Sequence, residues 1–434
     1  MMRITKRHLR QARATTVRGS APRPPASRSL RATLGAIALA GVVSLSPELT
    51  VAPTLADEPA GDATLASQPV RPILGVVPQL EPDMPPQRAA RPATATRPAA
   101  VPTMSVAESS ARSFQAALDS ARIGAGAYGV TFAAVRDGQV VWAGSSGVER
   151  DGRTLLSPDS TMVVGSVTKT FVAATVLQLV EEGRIGLDDS VREYLPELRR
   201  VSRAITIRQL LDHTSGLADV FNETTRIGIE EHPERAWTSG DVLATLHAPW
   251  YEPGEGWAYA NTNYYLLGMI VERITGSRLE DELAARFMGP LELAGTRTLS
   301  PEDPTSPLEP AWVTIFWASG NMTSSATDLA RWGDALYDDD VPELSILTPE
   351  TGRTMRDVNR DDYGLGVKRI KVSGRIAYGH TGLLNAYTTL LLHFPADDVT
   401  IAMLVNRTQV DLLGMIKEKP RGGGNSLLRL AIDS

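Results

Sequence analysis

The sequence predicts an α+β fold of the α/β-sandwich kind. Its antiparallel sheet is built from both ends of the folded part, flanked by helices, with a mostly helical region inserted between. Three observations predict it. Two strand-like runs, Ala127 to Asp137 and Gln139 to Glu149, stand near the start, separated by Asp137-Gly138, a dipeptide that favours a tight hairpin. β character returns near the end, in 375–382, 386–395 and 399–408, with short turns that favour an antiparallel meander. Between about 184 and 350 the chain reads as helical pieces joined by Pro/Gly turns, among them TIRQLLDHTSG, NYYLLGMIVERITG and SATDLARWGDALY. A cleft between sheet and inserted helices is where a site is expected.

Taken in order, the 434 residues begin with a basic stretch that carries nine Lys/Arg and one acid, Glu48, before Asp57. An apolar run, Ala32 to Leu45, and small residues around Thr54-Leu55-Ala56 complete the layout of a secretory signal over 1–56. The run falls short of the ~20 residues that span a bilayer, so no transmembrane span is expected in the mature protein and an extracytoplasmic location is. Residues 57–104 are rich in Pro and Ala and read as a disordered linker. The folded domain is placed at 105–434. It opens with a helix spaced on Val106, Phe114, Leu118 and Ile123, and NSLLRLAI closes it.

Composition narrows the function. Charged residues at 22% and hydrophobic ones at 42% suit a globular protein, and the acidic balance after residue 56 argues against nucleic acid as a partner. The absence of cysteine excludes disulfides, thiolate metal sites and a cysteine nucleophile. His232, His247 and His393 lack metal-ligand spacing, so no metal or other cofactor is expected.

The chain is organised around Pro158 to Gly183. From Val167 to Val180 nearly every residue is apolar or small, and Gly183 falls where a helix C′ glycine belongs, so this helix is expected to be central and buried. Ser166 stands at its start, where the helix dipole favours a developing alkoxide. Lys169 follows three places on, and helical side chains lean toward the N-terminus, so its amine can reach the Ser166 oxygen. Burial lowers a lysine pKa and leaves the amine able to take a proton.

Two further segments bear on the same chemistry. Tyr259-Ala260-Asn261 lies in a loop before a helix. A phenol beside an ammonium loses its proton more easily, and the Asn261 amide suits a substrate amide. His380-Thr381-Gly382 ends a strand, with polar groups for a substrate and a glycine that lets its backbone approach. Taken singly, each has a plainer reading: an N-cap with a snorkelling lysine, a turn-stabilising pair, a strand-end histidine. His213, in HTSGL, reads as structural, holding a helix end.

Together, Ser166-Val167-Thr168-Lys169, Tyr259-Ala260-Asn261 and His380-Thr381-Gly382 resemble the serine β-lactamase-like family, which includes class C β-lactamases and D-alanyl-D-alanine carboxypeptidases. TIRQLLDHTSGL, YEPGEGWAYANTNYYLLG and ASGNMTSSATDLARW are similar to it as well. The resemblance implies that Ser166 attacks a carbonyl and forms an acyl-enzyme, with Lys169 and Tyr259 managing the proton and either one as the base. It implies backbone N–H groups of Ser166 and Leu383 as the oxyanion hole, and Asn261, His380, Thr381 and Gly382 as substrate contacts. Histidine at 380, where class C enzymes usually carry lysine, favours a carboxypeptidase-like peptidase acting on D-Ala-D-Ala peptides. An esterase, a D-amino-acid amidase, a β-lactamase and an exported binding module are the alternatives. No Gly-x-Ser-x-Gly occurs to support a conventional Ser-His-Asp hydrolase.

Overall fold

Nine strands are present among the described residues of the computed structural model, which are 108–338, 345–359 and 361–434. They are β1 (Gly129–Arg136), β2 (Gln139–Gly147), β3 (Met162–Val163), β4 (Arg297–Thr298), β5 (Met322–Ser324), β6 (Lys368–Val372), β7 (Arg375–Leu384), β8 (Tyr387–Phe394) and β9 (Val399–Val405). The signal and linker expected at 1–56 and 57–104 lie outside the described residues.

Six strands form one antiparallel sheet in the order β2-β1-β9-β8-β7-β6. Pairing of β1 with β9, as in Ala133 opposite Ala402, brings the two ends of the domain together as the strand pattern predicts. The β1/β2 hairpin turns at Asp137 and Gly138, both at positive φ, the conformation that matches the right-handed twist of the flanking strands. Strand β6 has no counterpart among the predicted elements. Its alternation Lys-Arg-Ile-Lys-Val is dominated by charge, and only Val372 is buried, as suits an edge strand. A second, three-stranded sheet, β3-β5-β4, is likewise absent from the elements the sequence predicts.

Alternation along the strands sorts the core into two layers. Phe132, Ala134, Leu390, Leu392, Ile401 and Met403 pack with Phe114 and Leu118 of the first helix, Glu108–Ala125, and with Leu427 and Leu428 of the last, Leu427–Asp433. Ala133, Val135, Leu391, Ala402 and Leu404 face the other way, onto a cluster that includes Phe171 of the central helix Thr168–Glu181 and Trp332 of the helix Ala326–Tyr337. The Phe171 and Trp332 rings stack at 3.7 Å, and the Trp332 Nε1–H donates to Thr170 Oγ1 at 2.8 Å.

The central helix stops where glycine predicts it. Gly183 takes φ +68°, its N–H reaches the Val180 carbonyl, and the Arg184 N–H reaches the Leu179 carbonyl, which is a Schellman closure. The inserted region is helical but in shorter pieces than its sequence suggests. Val191–Tyr194, Ile207–Leu211 and Ser239–Ala244 are each closed at the start by a capping box, from Ser190, Thr206 and Thr238. The segments 221–237 and 299–317 contain the helix Glu223–Glu231 and most of the helix Pro310–Gly320. They pack together through Phe221 and Phe316, with ring centroids 5.1 Å apart.

Candidate active site

Ser166 belongs to a short 3-10 turn, Gly165–Val167, that leads into the central helix. Within 162–177 it is the one residue that is not buried, so its hydroxyl is the point at which a hydrophobic framework opens to the cleft. The turn abuts β7. A Cβ on Gly382 would stand 1.9 Å from the Val164 carbonyl oxygen, and one on Gly165 would stand 2.9 Å from the Leu383 nitrogen. Only glycine permits both approaches, and Gly165 also needs its φ of +50°. The backbones of Ser166 and Leu383 are thereby brought side by side, the arrangement an oxyanion hole requires.

Lys169 is fully buried and reaches three oxygens. Its Nζ lies 3.2 Å from Ser166 Oγ, 2.8 Å from Asn261 Oδ1 and 2.8 Å from the Ser319 carbonyl oxygen. Burial pushes its pKa well below the usual lysine value. The carboxylate of Asp219 works against that push, and the ammonium of Lys368 adds to it.

Asn261 begins the helix Asn261–Thr275, and its amide is held at both ends. Its Oδ1 accepts from Lys169, and its Nδ2 donates to Asp219 Oδ2 at 3.2 Å. An amine and a carboxylate at opposite ends leave a single orientation for the side chain. Asp219 also accepts from the backbone N–H groups of Asn261 and Phe221, at 3.1 and 3.0 Å. Each end of the Asn261 amide has one partner within the protein, which fixes it beside Lys169, and its NH2 group carries a second N–H beyond the one given to Asp219.

Tyr259 lies against the same lysine, whose Nζ is 4.9 Å from the ring centroid. The hydroxyl is buried and makes no hydrogen bond of ordinary geometry. Burial raises the phenol far above its usual pKa, and a weaker, downward influence of the Ser166 hydroxyl does not offset it. The easier ionisation expected beside an ammonium is thus overturned by desolvation, and Tyr259 rests as a neutral phenol. His213 packs against it with ring centroids 4.3 Å apart and planes tilted by 37°, and its Nδ1 accepts from the Ala260 N–H at 3.3 Å. That pair of contacts holds the loop before the helix.

The third motif differs most from expectation. His380 is buried, with Nε2 3.0 Å from the Tyr363 hydroxyl and Nδ1 2.6 Å from the Thr381 carbonyl oxygen. A carbonyl only accepts, so Nδ1 carries the proton and Nε2 accepts from Tyr363. Burial and the two nearby lysines push its pKa well below the usual histidine value, so the ring is neutral. The His380 ring is a strut and offers neither of its nitrogens to a substrate. The positive charge near Thr381 is supplied by Lys368, whose Nζ lies 3.5 Å from Thr381 Oγ1 and 5.5 Å from the Tyr259 ring centroid. Past Gly379, β7 has no strand partner on the β6 side.

The family model described as Beta-lactamase matches residues 112–416. The chain belongs to the beta-lactamase family. Its relatives in that family include penicillin-binding protein 4* of Bacillus subtilis (strain 168), 27% identical over 321 residues, which cover 64% of this chain and 68% of that one. D-aminopeptidase of Brucella anthropi (strain ATCC 49188) is 29% identical over 300 residues, 63% of this chain, and the match spans only 55% of that protein. Among solved structures, a D-stereospecific amidohydrolase from Streptomyces sp. superposes with a TM-score of 0.57 at 31% identity, over 68% of this chain and 94% of that chain. The chain is thus a hydrolase of the beta-lactamase and penicillin-binding protein family, with the mixed, antiparallel fold of its neighbours. Among the described residues no helix is long and apolar enough to cross a membrane.

Of the residues singled out in the sequence, Ser166, Lys169, Tyr259, Asn261, Thr381, Gly382 and the Leu383 backbone meet at one place. Three further contributors were not among them. Asp219 acts through Asn261 and the Ser319 carbonyl is main chain, so neither leaves a side-chain spacing to read. Lys368 does leave one, the alternation of β6 followed by Ser373-Gly374, both at positive φ, which is a hairpin signal.

Proposed function

We propose that this family member is an exported serine hydrolase that works through an acyl-enzyme on Ser166, in the manner of a D-alanyl-D-alanine carboxypeptidase. The hydrogen-bond set of Lys169 carries the reading. Two of its three neighbours, Asn261 Oδ1 and the Ser319 carbonyl, can only accept, while Ser166 can donate. A neutral amine satisfies all three at once, with two N–H groups donated and the lone pair turned to the serine proton. Burial favours that neutral form.

The steps follow from this arrangement. Lys169 takes the proton of Ser166 as Oγ attacks the carbonyl carbon, and the N–H groups of Ser166 and Leu383 receive the oxyanion. The neutral Tyr259 phenol passes a proton to the departing amine and recovers one from Lys169. Water then cleaves the acyl ester by the reverse proton path. The basic and apolar stretches before Asp57 support a site of action outside the cytoplasm.

A second reading, a D-amino-acid amidase or esterase on the same machinery, is supported by the likeness to the Streptomyces D-stereospecific amidohydrolase. Release of D-alanine from an N-acyl-D-Ala-D-Ala peptide, abolished by Ser166→Ala, is the expected result. Turnover of D-amino-acid amides without any release from the peptide transfers the assignment to the second reading.

A further inference from the structure

The Ser319 carbonyl, one of the three oxygens that hold Lys169, is presented by an irregular piece of backbone. The helix Pro310–Gly320 is broken at Trp317, which leaves helical geometry at φ 13° and ψ −111°. Beyond the break the Asn321 N–H returns to the Trp317 carbonyl at 3.1 Å, and the Ser319 hydroxyl donates to the Phe316 carbonyl at 2.6 Å. A carbonyl in the last turn of a helix has no helical partner, and that of the buried Ser319 takes the Lys169 amine at 2.8 Å instead. Where this turn sits therefore decides where the amine points.

Trp317 is held from outside the turn. Its Nε1–H donates to Glu280 Oε1 at 3.0 Å, and its ring meets that of Tyr265 with centroids 5.1 Å apart and planes at 64°. Gly268 makes room for it, since a Cβ there would stand 2.6 Å from the Ala318 Cβ and 3.0 Å from the Trp317 ring. Tyr265 and Gly268 belong to the helix Asn261–Thr275, whose first residue is the other acceptor that fixes Lys169. With Arg278, Ser300 and Glu302 the indole also borders a cavity of about 280 Å³. Packing does not close around the ring, so the bond to Glu280 fixes its angle.

We infer that Trp317 is a positioning residue for acyl transfer: its indole, tied to Glu280, sets the turn that aims the Ser319 carbonyl at Lys169 and so keeps the amine's lone pair on Ser166.

The geometry of a neutral amine accounts for the need. With two acceptors, Asn261 Oδ1 and the Ser319 carbonyl, its third direction is fixed on the serine; with one, it can rotate away. Trp317 acts through the main chain of Ser319, two residues on, and Glu280 acts through Trp317.

The inference rests on the acyl-enzyme reading above and deepens it, and the test separates the two. The full chain is labelled with a fluorescent penicillin across a pH series. The endpoint counts competent serines, and the rate constant gives acylation per serine, which a loss of folded protein does not change. Trp317→Phe keeps an aromatic ring and the Glu280 charge but loses the N–H donor. Glu280→Gln loses the charge but keeps an oxygen that accepts. Acylation per serine should be roughly three- to tenfold slower in Trp317→Phe, the worth of one hydrogen bond, and unchanged in Glu280→Gln. In Trp317→Phe the acid limb of the rate should also move down, because an ammonium loses more than a neutral amine when an acceptor withdraws. The other titratable groups around Lys169, which are Asp219, Lys368, His213, His380, Tyr259 and Tyr264, are the same in both variants. A wild-type rate per serine in Trp317→Phe, an acid limb that stays in place, or a Glu280→Gln variant as slow as Trp317→Phe overturns the proposal, while labelling of the wild type at Ser166 leaves acyl transfer standing. No Ser166-dependent labelling of the wild type overturns both.

Discussion

Asp219 determines which way Asn261 faces: its carboxylate takes the Nδ2 group at 3.2 Å, so the amide oxygen is left to Lys169 at 2.8 Å. The same carboxylate raises the Lys169 pKa that burial depresses. Asp219→Asn removes the charge, so Lys169 loses its proton at lower pH and the acid limb of kcat/KM moves down. Loss of the buried hydrogen bonds should also lower the plateau roughly ten- to a hundredfold, as about 1.4–2.8 kcal/mol implies. A pH–rate profile in which the plateau falls but the limb stays in place would remove Asp219 from the tuning of the base.

Tyr259 is expected to deliver a proton rather than to take one, because burial keeps the phenol protonated. Tyr259→Phe should lower kcat/KM for a peptide by about 10²–10⁴, the range of a general acid. The acid limb belongs to Lys169 and should not move. For an ester whose leaving group needs no proton, the loss should be much smaller. An equal loss on peptide and activated ester contradicts this division of labour.

Gly382 is where β7 and the nucleophile turn come nearest. An added methyl, 1.9 Å from the Val164 carbonyl, must push the two apart. Gly382→Ala should therefore draw the Leu383 N–H out of position and slow acylation by about 10²–10³, the worth of one oxyanion donor. Stopped-flow acylation rates would show it. Acylation at the wild-type rate would mean the oxyanion is held elsewhere.

Much of this site is legible in the sequence because its chemistry is anchored to local pattern. Ser166 and Lys169 are one helical turn apart, and the apolar run after them signals the burial that depresses the lysine. The glycine at 183 marks a helix stop, which occurs, and the glycine at 382, read as room for a substrate backbone, admits the protein's own turn at Val164. What the sequence hides acts across the fold. Asp219 meets Asn261 from 42 residues away. The polarity of His380 suggests a substrate contact, but Tyr363 claims its Nε2. Helices such as Val191–Tyr194 are too short to show a 3.6-residue period and are held by their caps. Desolvation of Tyr259, which reverses the ionisation expected beside a lysine, depends on packing around the ring and has no signature in Tyr-x-Asn.

Away from the site, Asp334 ties the helix Ala326–Tyr337 to the sheet. It accepts from the Gly138 N–H at 2.9 Å and from Thr400 Oγ1 at 2.8 Å. Burial outweighs these bonds and drives its carboxyl up to about 6. A carboxyl raised on folding favours the protonated form, so its contribution is fully present below the ordinary aspartate pKa and is lost as pH rises through about 6. Between pH 4 and pH 7 the loss is on the order of 3 kcal/mol. Asp334→Asn should remove that slope, so urea midpoints of wild type and variant should diverge over this interval, with the variant gaining as pH rises. Parallel midpoints would show that Asp334 ionises in the fold without penalty.

Acyl transfer through Ser166 is tested most sharply by peptide mapping with mass spectrometry after the full chain is trapped with a β-lactam, which acylates the nucleophile and leaves slowly. The expected result is a single adduct of the full ligand mass on the peptide that contains Ser166, abolished in Ser166→Ala and strongly slowed in Lys169→Ala. An adduct on another residue, or one that forms as fast without the Lys169 amine, would contradict the roles assigned to both.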